Sequence, residues 1–315
     1  MDAFLIMLKN VAIFVLLTIP GYLLVKTKTL KASDSGVLST ILTWLGMPFL
    51  ILSGTLNIDF SGDFIRSLLI VGVGGILFNI LMIFLSAWLT KTDDRKKRGI
   101  MRFSMAYTNS GFLGIPLASA VFGSSSVIVI YIILLNIISN LFLFSVGVYL
   151  ISGDKRHIQM KKALLNPVLV AFILGIVLNL SGAVKAVPEI LTYSDYFKPI
   201  VTPIAMTVLG IKLGTVKFSS LFTRAGMYYT SFIRFVVFPV LAVLLLWLAG
   251  LVIPVDTDML LGMLIGFACP TAAMATALSE KYDGDTENAV IYTLGTTVLS
   301  VITIPLLYWG LIALV

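Results

Sequence analysis

The chain is poor in the side chains on which soluble enzymes and metal proteins depend. It has 315 residues, one cysteine (Cys269) and one histidine (His157). A lone cysteine cannot close an intramolecular disulfide, and one Cys with one His leaves a zinc site without its ligands. Charged residues make up 12% of the sequence, against about 25% in soluble domains. The 15 acidic residues lie in connections or at the ends of apolar runs, with none at a run's centre. Proton relays and many sodium sites within membranes use a buried carboxylate, so this absence argues for weakly coupled or uniport-like behaviour. Sodium held by carbonyls and hydroxyls stays open, and no cofactor is implied. No GxxxxGK[ST] segment occurs, so ATP-driven pumping by this chain alone has no support. No nucleophile–base pair, paired carboxylates or metal cluster falls at membrane depth, which leaves an intramembrane enzyme without chemistry. There is also no large polar domain of the kind a membrane sensor uses for output.

What is present is apolar surface. Hydrophobic residues are 59% of the chain, and mean hydropathy is +1.06. Ten apolar segments can be marked, at roughly 4–25, 37–56, 65–89, 101–122, 126–151, 167–182, 198–216, 226–250, 258–280 and 289–312, each near the 20 residues a bilayer span needs. The first exceeds a signal-peptide core in length and reads as a span. Sixteen Lys and Arg fall in the odd-numbered connections and four in the even ones and the termini. The positive-inside rule therefore puts the odd connections in the cytoplasm and both termini outside. The net charge of +7 sits in these short connections as a topology signal, and does not indicate nucleic acid. The run Arg95-Lys96-Lys97-Arg98 reads as topology and anionic-lipid contact.

The punctuation repeats. Pro48 and Pro203 are 155 residues apart, Pro116 and Pro270 are 154 apart, and Asn79 and Arg234 are 155 apart. Five spans per half would turn the second half upside down, an inverted repeat of the kind many secondary transporters use. The halves are then 1–151 and 167–315, with 152–166 as the cytoplasmic connection. Within span four lies Tyr107-Thr108-Asn109-Ser110-Gly111-Phe112-Leu113-Gly114-Ile115-Pro116. Pro116 removes a donor and clashes with the preceding turn, Gly111 and Gly114 soften that turn, and Thr108, Asn109 and Ser110 add polar groups where lipid supplies none. Span nine contains Cys269-Pro270-Thr271. Counted at 1.5 Å per residue, Pro116 is about 21 Å from Arg102 and Pro270 about 15 Å from Glu280, so both interruptions fall near the midplane. Crossed there, the broken helices would offer unwound carbonyls and half-helix N-termini that favour anions.

Other polar residues have more than one reading. Arg234, about eight residues into span eight, either attracts an anionic substrate or holds neighbouring carbonyls in place. Lys212, at the end of span seven, reads as a snorkelling lysine. Asn79, Asn136 and Asn140 bridge helices or touch substrate. Ser53, near Pro48, is a further candidate.

Asn109 to Leu117, Pro270 to Ala273 with the following Glu280 to Ala289, the run Ser139 to Tyr149, and Arg234 with Pro239 together resemble the motifs of the auxin efflux carrier family, in order and spacing over essentially the whole chain. It is similar to a bacterial-type member: residues 152–166 replace the long central loop of plant members, and the paired Asn-Pro-Asn is missing. The resemblance implies an all-α polytopic fold of ten transmembrane helices, built as two inverted five-helix repeats with crossing helices four and nine, as in bile acid–sodium symporters. It implies transport of small organic anions, auxin-like or mono/dicarboxylic, by alternating access in the cell membrane, and a homodimer. It places span five, with Asn140, beside the crossing. The expected substrate contacts are Asn109, Ser110, Gly111, Pro116, Asn140, Pro270, Thr271 and Ser53, with Arg234 as an anion-attracting or structural charge. A channel or membrane-embedded sensor of small organic acids is the alternative; a channel would usually show rings of polar residues.

Overall fold

A computed structural model describes residues 2–314. Among the described residues, eight helices are long and apolar enough to cross a membrane: α1 (Asp2–Lys26), α2 (Ala32–Leu56), α3 (Gly62–Leu89), α6 (Val127–Ser152), α7 (Lys155–Leu180), α8 (Glu189–Gly214), α9 (Ala225–Ala249) and α12 (Thr286–Leu314). Two further segments are each a pair of shorter helices meeting at a break: α4 (Arg95–Ala106) with α5 (Ser110–Phe122), and α10 (Thr257–Phe267) with α11 (Met274–Lys281). The helices start where the sequence supplies caps. Ser61, Asp94, Ser126 and Asp256 each accept a hydrogen bond from a first-turn backbone N–H of α3, α4, α6 and α10, satisfying donors that have no intrahelical partner.

Three of the prolines do not break their helices. Widened turns run over Leu42–Gly46, Ser110–Gly114, Leu143–Gly147 and Ile233–Val237. Three of them end two residues before Pro48, Pro116 and Pro239. In each, the residue preceding the proline (Met47, Ile115 or Phe238) donates to the carbonyl five positions back, that of Leu42, Ser110 or Ile233. One extra residue in the turn makes room for the pyrrolidine ring and lets the helix continue.

The helices form two layers. A panel of α1, α2, α7 and α8 packs α1 on α8 and α2 on α7, and the other helices form a thicker core layer beside it. Close approach within the panel depends on small residues. A Cβ on Gly21 would lie 2.2 Å from the Thr207 carbonyl oxygen, one on Gly210 would lie 1.9 Å from that of Thr18, and one on Gly175 would lie 1.9 Å from Thr55 Oγ1. Gly21 and Gly175 are 154 residues apart, and each brings its helix against its partner in the panel, α1 against α8 and α7 against α2.

The odd-numbered connections gather at one end of the bundle. Lys96 pairs with Asp283 at 2.7 Å, Arg224 with Glu287, Arg95 donates to the Ser152 carbonyl at 3.0 Å and Tyr229 to that of Leu89 at 2.8 Å. The hydrogen bond from Lys96 holds the Asp283 carboxyl below its ordinary pKa. At the other end Asn179 donates to the carbonyls of Thr55, Leu56 and Ile58, fixing the turn after α2. One boundary differs from expectation: α8 begins at Glu189, and Asp195, expected in a connection, lies within it. Asp195 and Lys198 neutralise each other at 2.8 Å, while Tyr193 and Phe197 pack on Phe49, so a stretch that looks polar carries an aromatic cluster.

Candidate functional site

The centre of the core layer is a crossing of two chain breaks. Tyr107 is extended after the end of α4. Thr108 forms an isolated antiparallel bridge with Thr271. The Asn109 N–H donates to the Pro270 carbonyl at 2.7 Å, and the Ala272 N–H donates to the Tyr107 carbonyl at 2.9 Å. Helices α4 and α10 therefore end at the crossing and α5 and α11 begin there. Each break satisfies part of the other's exposed backbone, as lipid-embedded irregular chain must. Thr271 ties the crossing to its surroundings: its N–H donates to Thr296 Oγ1 at 3.1 Å and its hydroxyl to the Ser104 carbonyl at 3.2 Å.

Arg234 binds carbonyls from both broken helices. Its side chain, 1% exposed, donates from Nε to the Cys269 carbonyl at 2.9 Å and from Nη1 to the carbonyls of Ser104 and Met105. Ser104 and Met105 lie in the last turn of α4, and Cys269 follows the end of α10. These are the orphan acceptors of two helix C-termini, where partial negative charge concentrates. The guanidinium thus finds a counter-potential without a carboxylate, and the two C-termini are clamped to α9.

On one side of the crossing, between panel and core, lies a cavity of about 730 Å³, open toward the end where the basic connections gather. Asn109, Gly111, Asn136, Asn140, Lys212 and Thr293 line its depth, Thr43, Trp44 and Met47 line the panel wall, and Glu280 stands near the mouth. Behind this wall runs a polar chain. Thr108 Oγ1 donates to Ser110 Oγ at 3.1 Å, Asn136 Nδ2 to the same oxygen at 3.0 Å, and Asn140 Nδ2 to Asn136 Oδ1 at 3.1 Å. Lys212 is the one cation among the lining residues. The first turns of α5 and α11, whose N–H groups lack intrahelical acceptors, also face this space through Gly111, Phe112 and Ala273. Among the described residues no group of His, Cys, Asp and Glu could hold a metal.

Comparison with known proteins gives this crossing a family. Residues 6–161 match the membrane transport protein family, and residues 206–315 match the sodium bile acid symporter family. The chain belongs to the membrane transport protein (auxin efflux carrier) family. It is 28% identical over 311 residues to an uncharacterized transporter of Methanothermobacter thermautotrophicus, covering 96% of both chains. To an uncharacterized transporter of Methanocaldococcus jannaschii it is 26% identical over 314 residues, covering 96% of this chain and 98% of that one.

The transporter brings together some of the expected site residues and separates others. Asn109, Gly111 and Asn140 line the cavity. Ser110 is buried directly behind them as the acceptor that orients Asn136. Pro270 and Thr271 are in the crossing itself and face away from the cavity, which is lined there by Ala272 and Ala273. Pro116 is not at the break: the non-helical residues are 107–109, seven to nine positions earlier, and the widened turn before Pro116 keeps α5 helical. Pro116 and Pro270 are therefore not structural counterparts, since the bridge joins Thr108 to Thr271. Ser53 lies elsewhere, donating to Asp195 at 2.8 Å and accepting from Lys198 at 3.3 Å at the opposite end of α2. Asn79 accepts from Ser139 at 3.1 Å and joins α3 to α6. Two residues were undervalued. Asn136 sits at the centre of the polar chain, and its spacing of four from Asn140 on one helix face was the available signal. Lys212 lines the cavity where a snorkelling residue was expected; nothing in its local sequence marks that.

Proposed function

We propose that this transporter carries small organic anions, mono- or dicarboxylates, by alternating access across the cell membrane, and that the substrate carboxylate binds in the cavity beside Lys212. The observation that carries this reading is the lining: one lysine, four asparagines and two helix N-termini around one space, with Glu280 as the only carboxylate among the lining residues. Positive partial charge at helix N-termini and a charge-assisted lysine contact both favour an anion. Counting each half-helix pair as one span gives ten spans. The matched roles of Gly21 and Gly175, and the pairing of α1 on α8 with α2 on α7, support two inverted halves. Charge asymmetry supports a cytoplasmic position for the basic end and external termini, so that the cavity opens inward. The panel and core layers meet along the cavity, which suits an elevator-like sliding of the core with its crossing past the panel.

Arg234 also bears on coupling. A cation, the guanidinium, already occupies the Cys269 and Met105 carbonyls at the crossing, which fits transport without a metal ion bound to them. Strict dependence of proteoliposome uptake on an imposed sodium or pH gradient would refute this part.

The direct test is thermal stabilisation of purified protein by a panel of carboxylates, followed by counterflow of any hit in proteoliposomes. Saturable counterflow separates a transporter from a channel. Lys212→Gln should weaken binding of the hit about 10–100-fold, the value of a charge-assisted hydrogen bond of about 1.5–3 kcal/mol. Asn109→Ala should weaken it about five- to tenfold, corresponding to about 1 kcal/mol. A hit whose affinity survives Lys212→Gln unchanged would place the carboxylate elsewhere.

A further inference from the structure

The first third of α7 is not a continuous helix. A turn at Lys155–His157 and a short helix at Met160–Leu164 lead to Asn166, whose side chain caps the straight helix that begins at Pro167. One face of this segment is fastened to the core layer. The Gln159 N–H donates to the Phe144 carbonyl of α6 at 2.9 Å, its side chain donates to the Tyr282 hydroxyl, and the centre of the His157 ring lies 4.6 Å from that of Tyr282. Ala163, one turn after Gln159, is buried. The opposite face is open. Ile158, Met160, Leu164 and Leu165 are 39%, 41%, 55% and 57% exposed, and Lys155, Arg156, Lys161 and Lys162 are exposed among them. Arg156 pairs with Asp154 at 2.6 Å. Among the described residues, none of the three lysines has a carboxylate partner.

The sequence context puts that face at a membrane surface. Val170 and Ile173, a few residues further along α7, are also exposed, and in a spanning helix lipid covers them. Apolar side chains interleaved with unpaired lysines complement a bilayer interface: the apolar groups reach below the headgroups while the ammonium groups meet phosphates. Charge sets the preference, since each lysine near an anionic bilayer is worth about fivefold in binding. We propose that residues 155–165 form an interfacial anchor that seats on anionic phospholipid at the basic end of the bundle, with Met160, Leu164 and Leu165 at headgroup depth and Lys155, Lys161 and Lys162 on lipid phosphates. The anchor does not depend on which substrate is carried. Its inner face holds to the core at Phe144 and Tyr282 while its chain continues into the panel, and Asn166 and Val168 line the cavity. Membrane charge is therefore read where the two layers join, at the rim of the binding cavity.

The test uses the full chain carrying Leu164→Cys labelled with bimane; Cys269, the native cysteine, is buried and stays unlabelled. The protein is placed in nanodiscs of phosphatidylcholine alone or with about 30% phosphatidylglycerol, an anionic lipid. Quenching by a trace of phosphatidylcholine spin-labelled on its headgroup should rise at least threefold in the anionic discs, while quenching by acrylamide from water falls. Raised salt should remove the increment, because exposed charges are screened within a Debye length. The triple variant Lys155→Gln, Lys161→Gln, Lys162→Gln should remove it as well. The salt series needs no lysine variant, so it decides the matter even if the triple variant folds poorly. A probe quenched by acrylamide and not by the lipid, in both compositions, would place the segment in water and overturn the anchor. Lipid quenching that is equal with and without phosphatidylglycerol would mark an ordinary apolar contact and overturn the recognition of anionic lipid.

Discussion

Arg234→Met is expected to cost about 2–5 kcal/mol of stability and to lower the melting temperature of the purified protein by about 5–10 °C. The methionine fills much of the space but donates nothing. The carbonyls of Cys269 and Met105, and the more distant one of Ser104, would be left buried without their donor, and each such orphan costs about 1–3 kcal/mol. The loss should be cooperative with the crossing, because the same turn of α4 also holds Thr271. Arg234→Lys separates charge from geometry. An ammonium keeps the charge but lacks the planar fork that reaches α4 and the α10 break together, so its melting temperature should fall between wild type and Arg234→Met. A wild-type melting curve for Arg234→Met would show that the clamp contributes nothing, and an Arg234→Lys protein as unstable as Arg234→Met would show that geometry alone matters.

The second large effect is expected at Gly210. A Cβ there meets the Thr18 carbonyl oxygen at 1.9 Å and the Tyr22 nitrogen at 2.9 Å. Both are backbone atoms within a helix, so neither can rotate away and α1 and α8 must separate. Gly210→Val should therefore destabilise by about 3 kcal/mol, the upper range for overpacking. It should also weaken substrate binding, because Lys212 is two residues further along the same helix and moves with it. Gly74 is the control: a Cβ there meets nothing within 4 Å, and Gly74→Ala in the interior of α3 should be neutral or stabilising by up to about 1 kcal/mol. Equal losses at the two positions, read by thermal unfolding, would point to a general intolerance of helix substitution and not to the α1–α8 contact.

These effects fall on residues that differ in how visible they are in the chain. Arg234 announces itself, since an arginine in an apolar run needs a partner. What it partners does not, because the acceptors are carbonyls that become available only when α4 and α10 stop at the crossing. Pro116 shows the reverse failure. Proline is the strongest local break signal, yet the widened turn over Ser110–Gly114 absorbs it, and the real break at 107–109 contains no proline at all. Tyr107 and Asn109 leave the helix because Pro270 and Ala272 offer their backbones a better bridge, a reason that lies about 160 residues away in sequence.

The sequence by itself determined the class of the protein, where its apolar segments lie and the presence of two interrupted ones. Lipid imposes a fixed length and a ban on unpaired charge on every segment separately, and such constraints can be read one segment at a time. Only the tertiary structure decided where the breaks lie, that Arg234 clamps carbonyls, that Ser53 is remote from the cavity and that Lys212 faces it. Each of those depends on which helix faces which, and that is set by close packing at Gly21, Gly175 and Gly210 and by backbone pairing across the crossing, contacts between residues that no local pattern connects.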